Sequence, residues 1–201
     1  MPLTIRDGRA HFGIEVPLHQ FERLARAHLK AYPSTPTVEE QGRLFVKHGF
    51  READTKAFVR AVCDWGGYSG ISGRVLSRNT SSMICSSLKQ AVQKLDSNSP
   101  DFAAALIDVN TLKGLGTPSF ASKHLRFLRP ALCPVFDSLL QEALPYSFDA
   151  QGYAAFAQDC KSLASALAQA KVPNPREREW WAADVEASLY AFVTDLDGVE
   201  G

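Results

Sequence analysis

Apolar residues recur every three to four positions along most of the chain, which is the period of a helix with one buried face. Strand-like alternation is absent from the pattern, and residues 1–16 are expected to be irregular. The chain is therefore predicted to have an all-α fold of about eight to ten helices, with residues 1–201 forming one domain. The approximate helices are 17–31, 37–48, 51–65, 80–95, 99–110, 118–128, 138–144, 149–171 and 176–196. Thr37 and Glu40 form the pattern of a capping box.

Four glycines lie between residues 66 and 74, a composition that disfavours regular helix. This stretch is expected to be a surface loop or a place where the backbone of another molecule approaches. In the second case Trp65 and Tyr68 would stack on a nucleobase, and Arg74 and Arg78 would bind phosphates.

The segment from Leu112 to Gly116 reads Leu-Lys-Gly-Leu-Gly and predicts a tight turn between two helices. Glycine tolerates positive φ and lets a ligand approach the backbone. The next helix is expected to begin near residue 117 or 118, and the N–H groups at a helix start form a favourable phosphate site. The predicted contacts are Lys113, Gly114, Leu115, Gly116, Thr117 and Ser119. An ordinary helix-ending turn is the alternative.

Asp137 follows Pro134-Val135-Phe136 and is expected to stand at the start of the next helix. An Asp at this position caps the helix by accepting a backbone N–H bond. The same carboxylate could also act in catalysis, because capping does not prevent it from facing a cleft.

Charge is unevenly distributed, although the net charge of the chain is zero. Residues 65–136 carry 8 basic and 3 acidic side chains, whereas residues 137–201 carry 4 basic and 11 acidic ones. No acid lies between Val109 and Phe136, a stretch that contains Lys113, Lys123, Arg126 and Arg129. A basic patch beside a phosphate-binding turn favours DNA contact; solvated helix faces are the other interpretation.

The four cysteines are widely spaced and form no zinc or iron–sulfur pattern. We expect them to be small buried residues of a cytoplasmic protein. No apolar run is long enough to cross a membrane and no signal-peptide core is present, so membrane association is not expected. No metal or cofactor is predicted, and the expected state is a monomer.

A helix, the Leu-x-Gly-x-Gly turn, a second helix and then Pro-x-x-Asp together resemble the helix-hairpin-helix DNA glycosylase superfamily. Asp137 follows Gly116 by 21 positions, close to the roughly twenty of that family, and the run Ala121–Leu128 resembles a bacterial branch related to 8-oxoguanine glycosylases. The resemblance covers about thirty residues, with the hairpin unit at about 100–128 and the start of the Asp137 helix at about 134–144. It implies two helical lobes with the hairpin and Asp137 at the cleft between them.

The resemblance also implies an activity, the hydrolytic release of a modified base that has been flipped out of duplex DNA. Asp137 would stabilise the cation-like sugar of the transition state. Members that also cut the strand use a lysine two positions after the second glycine, but this chain has Pro118 there. Strand cleavage is therefore not expected, and Lys123 is interpreted as a phosphate or substrate contact, with a catalytic amine as the alternative.

Other assignments stay open at the level of sequence. Trp180 could line the base pocket or pack against the N-terminal helix, whereas Trp181 is expected in the core, and His28 is expected at the edge of the core. The excised base could be an oxidised purine in DNA repair or a hypermodified base in defence against phage. A helix-hairpin-helix DNA-binding protein without catalysis is the second function considered, and a structural or protein-binding helical domain is the third.

Overall fold

The computed structural model of the chain describes residues 3–116, 118–196 and 198. Within them, helices predominate, as the periodicity predicts, and a 3₁₀ turn at Leu18–Gln20 precedes the first α-helix. The ten α-helices of these residues are α1 (Phe21–Ala31), α2 (Thr35–Lys47), α3 (Glu52–Trp65), α4 (Ser69–Arg78), α5 (Ser81–Leu95), α6 (Phe102–Asn110), α7 (Ser119–Leu128), α8 (Ser138–Ala143), α9 (Ala150–Gln169) and α10 (Ala182–Val193).

The N-terminal segment is not irregular, and this prediction was wrong. It forms a three-stranded antiparallel sheet in the order β1 (Thr4–Arg6), β2 (Arg9–His11), β3 (Glu15–Pro17). The strands have three residues each, which is too short for an alternating pattern to be recognised in the sequence. Asp7 and Gly8, both at positive φ, form the first turn.

Three further predictions about helices were wrong. The glycine-rich stretch from residue 66 to 74 is not wholly a loop, because α4 begins at Ser69 and includes Gly70 and Gly73. The last helix begins at Ala182 rather than near Arg176. The capping box expected at Thr37 is also absent, because α2 begins two residues earlier, after Ser34.

Helix α7 lies at the centre of the packing, in contact with α2, α3, α5 and α6. Every residue from Phe120 to Leu128 is buried, so the helix has no solvent-facing side. Helix α2 approaches it closely at Gly42, where a Cβ would lie 2.0 Å from the carbonyl oxygen of Phe127. The Lys123 and Arg126 side chains of α7 are therefore held inside the protein rather than on its surface.

The two ends of the chain meet, because α1 packs against α10. The start of α10 is joined to the turn that follows α7: the backbone N–H groups of Ala182 and Ala183 donate to the carbonyl oxygens of Ala131 and Pro130. Side chains from α1, α7 and α10 can consequently reach a common space. No helix of the described residues is long and apolar enough to cross a membrane, and all four cysteines are buried and free of disulfides.

Candidate active site

The turn between α6 and α7 has the backbone geometry expected of the hairpin. Gly114 and Gly116 have φ values of +84° and +79°, a region that favours glycine. Leu115 between them is fully buried, so its side chain anchors the turn in the core and cannot touch DNA. Lys113 is exposed. Thr117, a predicted phosphate contact, lies outside the described residues.

Asn79, which follows α4, holds this turn in place. Its side-chain amide donates to the Lys113 carbonyl oxygen at 2.9 Å, and its Oδ1 accepts the Lys113 N–H at 3.1 Å. The same Nδ2 donates to the carbonyl oxygen of Val75 at 2.8 Å. The hairpin is thereby fixed to the C-terminal end of α4. Either Asn79 or Thr80 could cap the following helix on sequence grounds, and Thr80 occupies that position.

Two of the predicted phosphate-binding arginines lie beside the hairpin. Arg74 and Arg78 are exposed on α4, and the backbone of Gly114 is close enough to Arg74 that a Cβ at Gly114 would lie 3.2 Å from the arginine's Cβ. The exposed cations near the turn are thus Arg74, Arg78 and Lys113 in the described part of the chain.

Arg126 was wrongly predicted to contact DNA. It is 2% exposed, its Nη1 lies 2.8 Å from Glu39 Oε1, and its guanidinium lies over the rings of Trp65 and Phe127. Arg129 is paired with Asp96. Of the cations in the acid-free stretch before Asp137, Arg126 is thus held in an internal ion pair and Arg129 in a pair at the surface.

Asp137 is the N-cap of α8, where its Oδ1 accepts the Leu140 N–H at 3.2 Å. The residue before it is attached to α7, because the Phe136 N–H donates to Ser122 Oγ at 2.9 Å. Ser122 in turn donates to the carbonyl oxygen of Ser119 at 2.8 Å. These bonds place the Asp137 carboxylate beside the first turns of α7, where 17% of the side chain is exposed.

A cavity of about 340 Å³ opens at Asp137. This volume is near the lower end of the roughly 300–1,000 Å³ typical of small-molecule sites. Its lining residues are His28, Tyr32, Trp65, Gly66, Tyr68, Ser119, Phe120, Lys123, Val135, Asp137, Ser138, Leu139, Glu186 and Tyr190. They come from the start, the middle and the end of the sequence.

The three predicted base-pocket aromatics have different locations. Trp65 and Tyr68 line the cavity, and Tyr68 is 67% exposed. Trp180 does not line it: this residue packs edge-on against Phe21 of α1, and its indole N–H donates to the Val172 carbonyl oxygen. Assigning Trp180 to the base pocket was therefore wrong, and packing against the N-terminal helix was the correct alternative. Trp181 is half-buried at the N-cap of α10 rather than in the core.

Lys123 extends from α7 into the cavity. Its Nζ donates to Ser119 Oγ at 2.9 Å, lies 3.8 Å from Asp137 Oδ2 and lies 5.0 Å from the centre of the Phe120 ring. Burial lowers the pKa of the Lys123 amine, while the nearby Asp137 carboxylate opposes that shift. Although the lysine is five positions beyond Pro118, its side chain ends beside the predicted catalytic carboxylate.

One wall of the cavity consists of aromatic rings whose proximity was not predicted from the sequence. His28 is stacked on Tyr32 at 4.6 Å between ring centres, Tyr32 lies 5.5 Å from Trp65, and Tyr190 meets both His28 and Tyr32 edge-on at 5.9 Å. Burial, with a smaller contribution from the Arg126 charge, lowers the pKa of His28 to about 3. The imidazole is therefore neutral at pH 7 and forms part of a wall suited to a flat ring.

Glu186 of α10 is a second carboxyl group of the cavity, and sequence reasoning missed it. It is 2% exposed, and its Oε2 accepts the Val135 N–H at 3.3 Å. Burial, together with the charge of Asp137, raises its pKa to about 8, although Arg126 acts in the opposite direction. The signal in the sequence was a lone acid on the otherwise apolar face of α10.

Comparisons with protein-family models, with curated proteins and with solved structures give no match for this chain. The resemblance to helix-hairpin-helix glycosylases therefore depends on the motif residues, and the cavity at Asp137 is the structural observation that bears on it.

Proposed function

We propose that this protein is a DNA glycosylase that hydrolyses the bond between deoxyribose and a modified base flipped out of duplex DNA. The observation that carries the proposal is the cavity in which the Asp137 carboxylate, the Lys123 amine and the aromatic wall meet. The proposal includes the two-lobed helix-hairpin-helix glycosylase fold, with the cavity as its interlobe cleft.

The chemistry of base removal requires what this cavity offers. As the glycosidic bond breaks, the sugar becomes cation-like, and a fixed carboxylate such as Asp137 stabilises that charge and orients the attacking water. The everted base needs a flat apolar surface, which the rings of Tyr32, Trp65 and Tyr190 provide.

DNA binding is assigned to the hairpin and α4. The positive-φ turn at Gly114 and Gly116 leads directly into α7, whose residue Ser119 lines the cavity. Arg74 and Arg78 are exposed beside this turn. A strand gripped at the hairpin by its phosphates would thus run past the cavity mouth, where Tyr68 is available to occupy the gap left by the flipped nucleotide.

Hydrolysis without strand cleavage is the proposed outcome, because Pro118 stands where the strand-cutting members have lysine. The position of Lys123 favours one second candidate, a lyase reaction in which its amine forms a Schiff base with the sugar. In the hydrolytic mechanism the same group, as an ammonium, holds Asp137 in place and contacts the substrate. The excised base is proposed to be an oxidised purine or a hypermodified base of foreign DNA.

The test is incubation of the purified protein with a panel of duplexes that carry oxidised, alkylated and phage-type modified bases, with released base detected by mass spectrometry. We expect release from at least one modified duplex and none from unmodified DNA. A protein that binds these duplexes without releasing any base would instead be the non-catalytic helix-hairpin-helix protein. If the protein binds DNA and an unrelated protein equally weakly, the remaining interpretation is a structural or protein-binding helical domain.

A further inference from the structure

We propose that Glu186 recognises the everted base, and that its carboxyl O–H donates a hydrogen bond to a ring nitrogen or a carbonyl oxygen of that base. The inference deepens the proposed function and rests on it, since it assigns the polar contact that selects the substrate. It also specifies a substrate class: planar heteroaromatic bases that present a hydrogen-bond acceptor to the inner end of the cavity.

The location of Glu186 suits contact with a base. The residue lies on α10 with 2% of its surface exposed, in the same cavity as the rings of Tyr32, Trp65 and Tyr190. A base that stacks on these rings has its polar edge directed to the side, where apolar contacts cannot distinguish one base from another. A carboxyl group at that edge provides the discrimination, because a ligand that leaves it without a partner incurs the cost of an unsatisfied buried polar group.

The hydrogen bonds of Glu186 determine what it can offer. Its Oε2 accepts the Val135 N–H at 3.3 Å, which fixes the orientation of the group. A protonated carboxyl group retains one O–H donor after accepting this bond, whereas an ionised one has acceptors alone. The chemistry of the contact therefore depends on whether the proton is present.

Burial favours the protonated form of Glu186, as does the Asp137 charge, whereas Arg126, Lys123 and the Val135 N–H act against it. The charged and titratable groups around Glu186 come from five helices. They are Lys123 and Arg126 on α7, Asp137 at α8, Tyr153 and Cys160 on α9, His28 on α1 and Tyr190 on α10 itself. The two cations are engaged elsewhere, Lys123 by Asp137 and Ser119, and Arg126 by Glu39.

Burial and the Asp137 carboxylate raise the pKa of Glu186 to about 8. Burial also raises the pKa values of Tyr153 and Cys160, so both stay neutral. At pH 7 the Glu186 carboxyl group is thus protonated, and its role differs from that of Asp137. Asp137 caps a helix, is partly exposed and faces the sugar, whereas Glu186 is enclosed and faces the base. Two carboxyl groups in different environments are a known way to divide such roles.

The experiment compares wild type with Glu186→Gln, Glu186→Leu and the matched control Glu142→Gln, an exposed glutamate on α8. Release of each panel base is followed under single-turnover conditions from pH 6 to 9. The wild-type release rate should decline at alkaline pH, because Glu186 loses its proton there. Glutamine has an N–H donor that does not titrate, so Glu186→Gln should retain the wild-type rate within about threefold and show no alkaline decline. Glu186→Leu should lose roughly tenfold or more and should discriminate poorly between bases. Glu142→Gln should match wild type.

A second measurement separates failure of this inference from failure of the proposed function. Free guanine, adenine and cytosine and their deaza analogues, which lack one ring acceptor, are titrated into wild type and Glu186→Leu by calorimetry. One outcome is that no base is released from any duplex but a free base binds. If the deaza change and Glu186→Leu each weaken the binding of the free base, and the two together weaken it no further, the base contact stands and the glycosylase proposal fails.

If base is released but Glu186→Leu keeps the wild-type selectivity and pH profile, the inference is overturned and the glycosylase stands. Absence of both release and Glu186-dependent binding overturns both. Circular dichroism of each variant shows that the helical fold is retained, and Glu186→Gln, which preserves the shape of the side chain, remains informative if Glu186→Leu does not fold.

Discussion

The Nζ atom of Lys123 lies 3.8 Å from Oδ2 of Asp137, and both side chains are mostly enclosed, with 8% and 17% of their surfaces exposed. Screening by water is weak for such a pair, so each group influences the charge of the other more than on the surface. The pair sits where α7 and α8 meet, and Ser122 fixes that junction through the N–H of Phe136.

Asp137→Asn should abolish base release, with a loss of roughly a hundredfold or more, because an amide cannot stabilise the cation-like sugar. The fold should survive, since Asn is as good an N-cap as Asp. Asp149→Asn is the matched control, because Asp149 caps α9 in the same way, with its Oδ1 accepting the Gly152 N–H at 2.8 Å. Release rates and thermal melts of both variants test this, and an active Asp137→Asn protein would remove Asp137 from the mechanism.

Lys123→Gln should reduce base release by roughly tenfold to a hundredfold, because Asp137 loses its neighbouring cation. Wild type should leave the strand intact until heat or alkali is added, and borohydride should trap no protein–DNA complex. The measurement is denaturing electrophoresis of labelled duplex with and without borohydride. A trapped complex in wild type that disappears in Lys123→Gln would assign the amine as the nucleophile and establish the lyase reaction.

The sequence predicted the elements that are contiguous in the chain. The hairpin at Gly114–Gly116 and the start of α8 at Asp137 follow from local rules on positive φ and on capping, and the structure has these features. Thr80 and Asp149 likewise cap α5 and α9, where the predicted helices 80–95 and 149–171 begin. Local chemistry determines these features, so a single sequence is sufficient to predict them.

The rest of the site depends on packing between distant segments. His28, Glu186 and Tyr190 come from α1 and α10, and no spacing rule reports that these helices meet at one cavity. The error over Arg126 has the same origin, because a basic residue in an acid-free stretch looks solvent-exposed unless Glu39 is known to face it. Periodicity predicted α7 but not its burial on all sides, because five of its ten residues are polar or charged and suggest a solvent-facing side.

Gly116→Ala should weaken binding to duplex DNA several-fold, because the hairpin cannot keep its φ of +79° without strain. Gly49→Ala is the matched control: Gly49 has a φ of +72° in the turn after α2, and a Cβ at either glycine would meet nothing within 4 Å. Both variants should lose about 1 kcal/mol of stability, whereas Gly116→Ala alone should lose DNA affinity.

Fluorescence anisotropy of labelled duplex at several salt concentrations measures this effect. Wild-type affinity should fall steeply as salt rises, because phosphate contacts release counterions. Equal DNA affinity of the two glycine variants, or a flat salt response of wild type, would contradict the phosphate-binding role of the hairpin.

Asn79→Ala should loosen the hairpin, because the Lys113 N–H and carbonyl oxygen both lose their side-chain partner. The expected cost is about 1–3 kcal/mol of stability together with weaker DNA binding. Asn174→Ala provides the comparison: Asn174 also bonds to backbone groups, those of Arg176 and Glu179, in the loop before α10. Chemical denaturation and anisotropy should show a stability loss in both variants but an affinity loss in Asn79→Ala alone.

His28→Phe should reduce the loss of stability that accompanies acidification. Burial lowers the pKa of His28 from its ordinary 6.5 to about 3 in the folded protein, so between these values the unfolded state binds more protons. The stabilisation from neutral His28 is therefore complete above pH 6.5 and is lost progressively as pH falls toward 3. Phenylalanine keeps a ring against Tyr32 and has no proton to gain.

The measurement is the free energy of unfolding at pH 7 and pH 5, chosen to stay above the range in which ordinary carboxylates titrate. Between pH 7 and pH 5, the free energy of unfolding of His28→Phe should fall by about 2 kcal/mol less than that of wild type. His124, whose pKa burial lowers to about 4, contributes a slope of the same sign, and Glu186 contributes one of opposite sign. Both contributions cancel in the comparison of variant with wild type. A His19→Gln control changes an exposed histidine and should reproduce the wild-type difference, whereas an unchanged pH dependence in His28→Phe would mean that His28 is not held neutral in the folded protein.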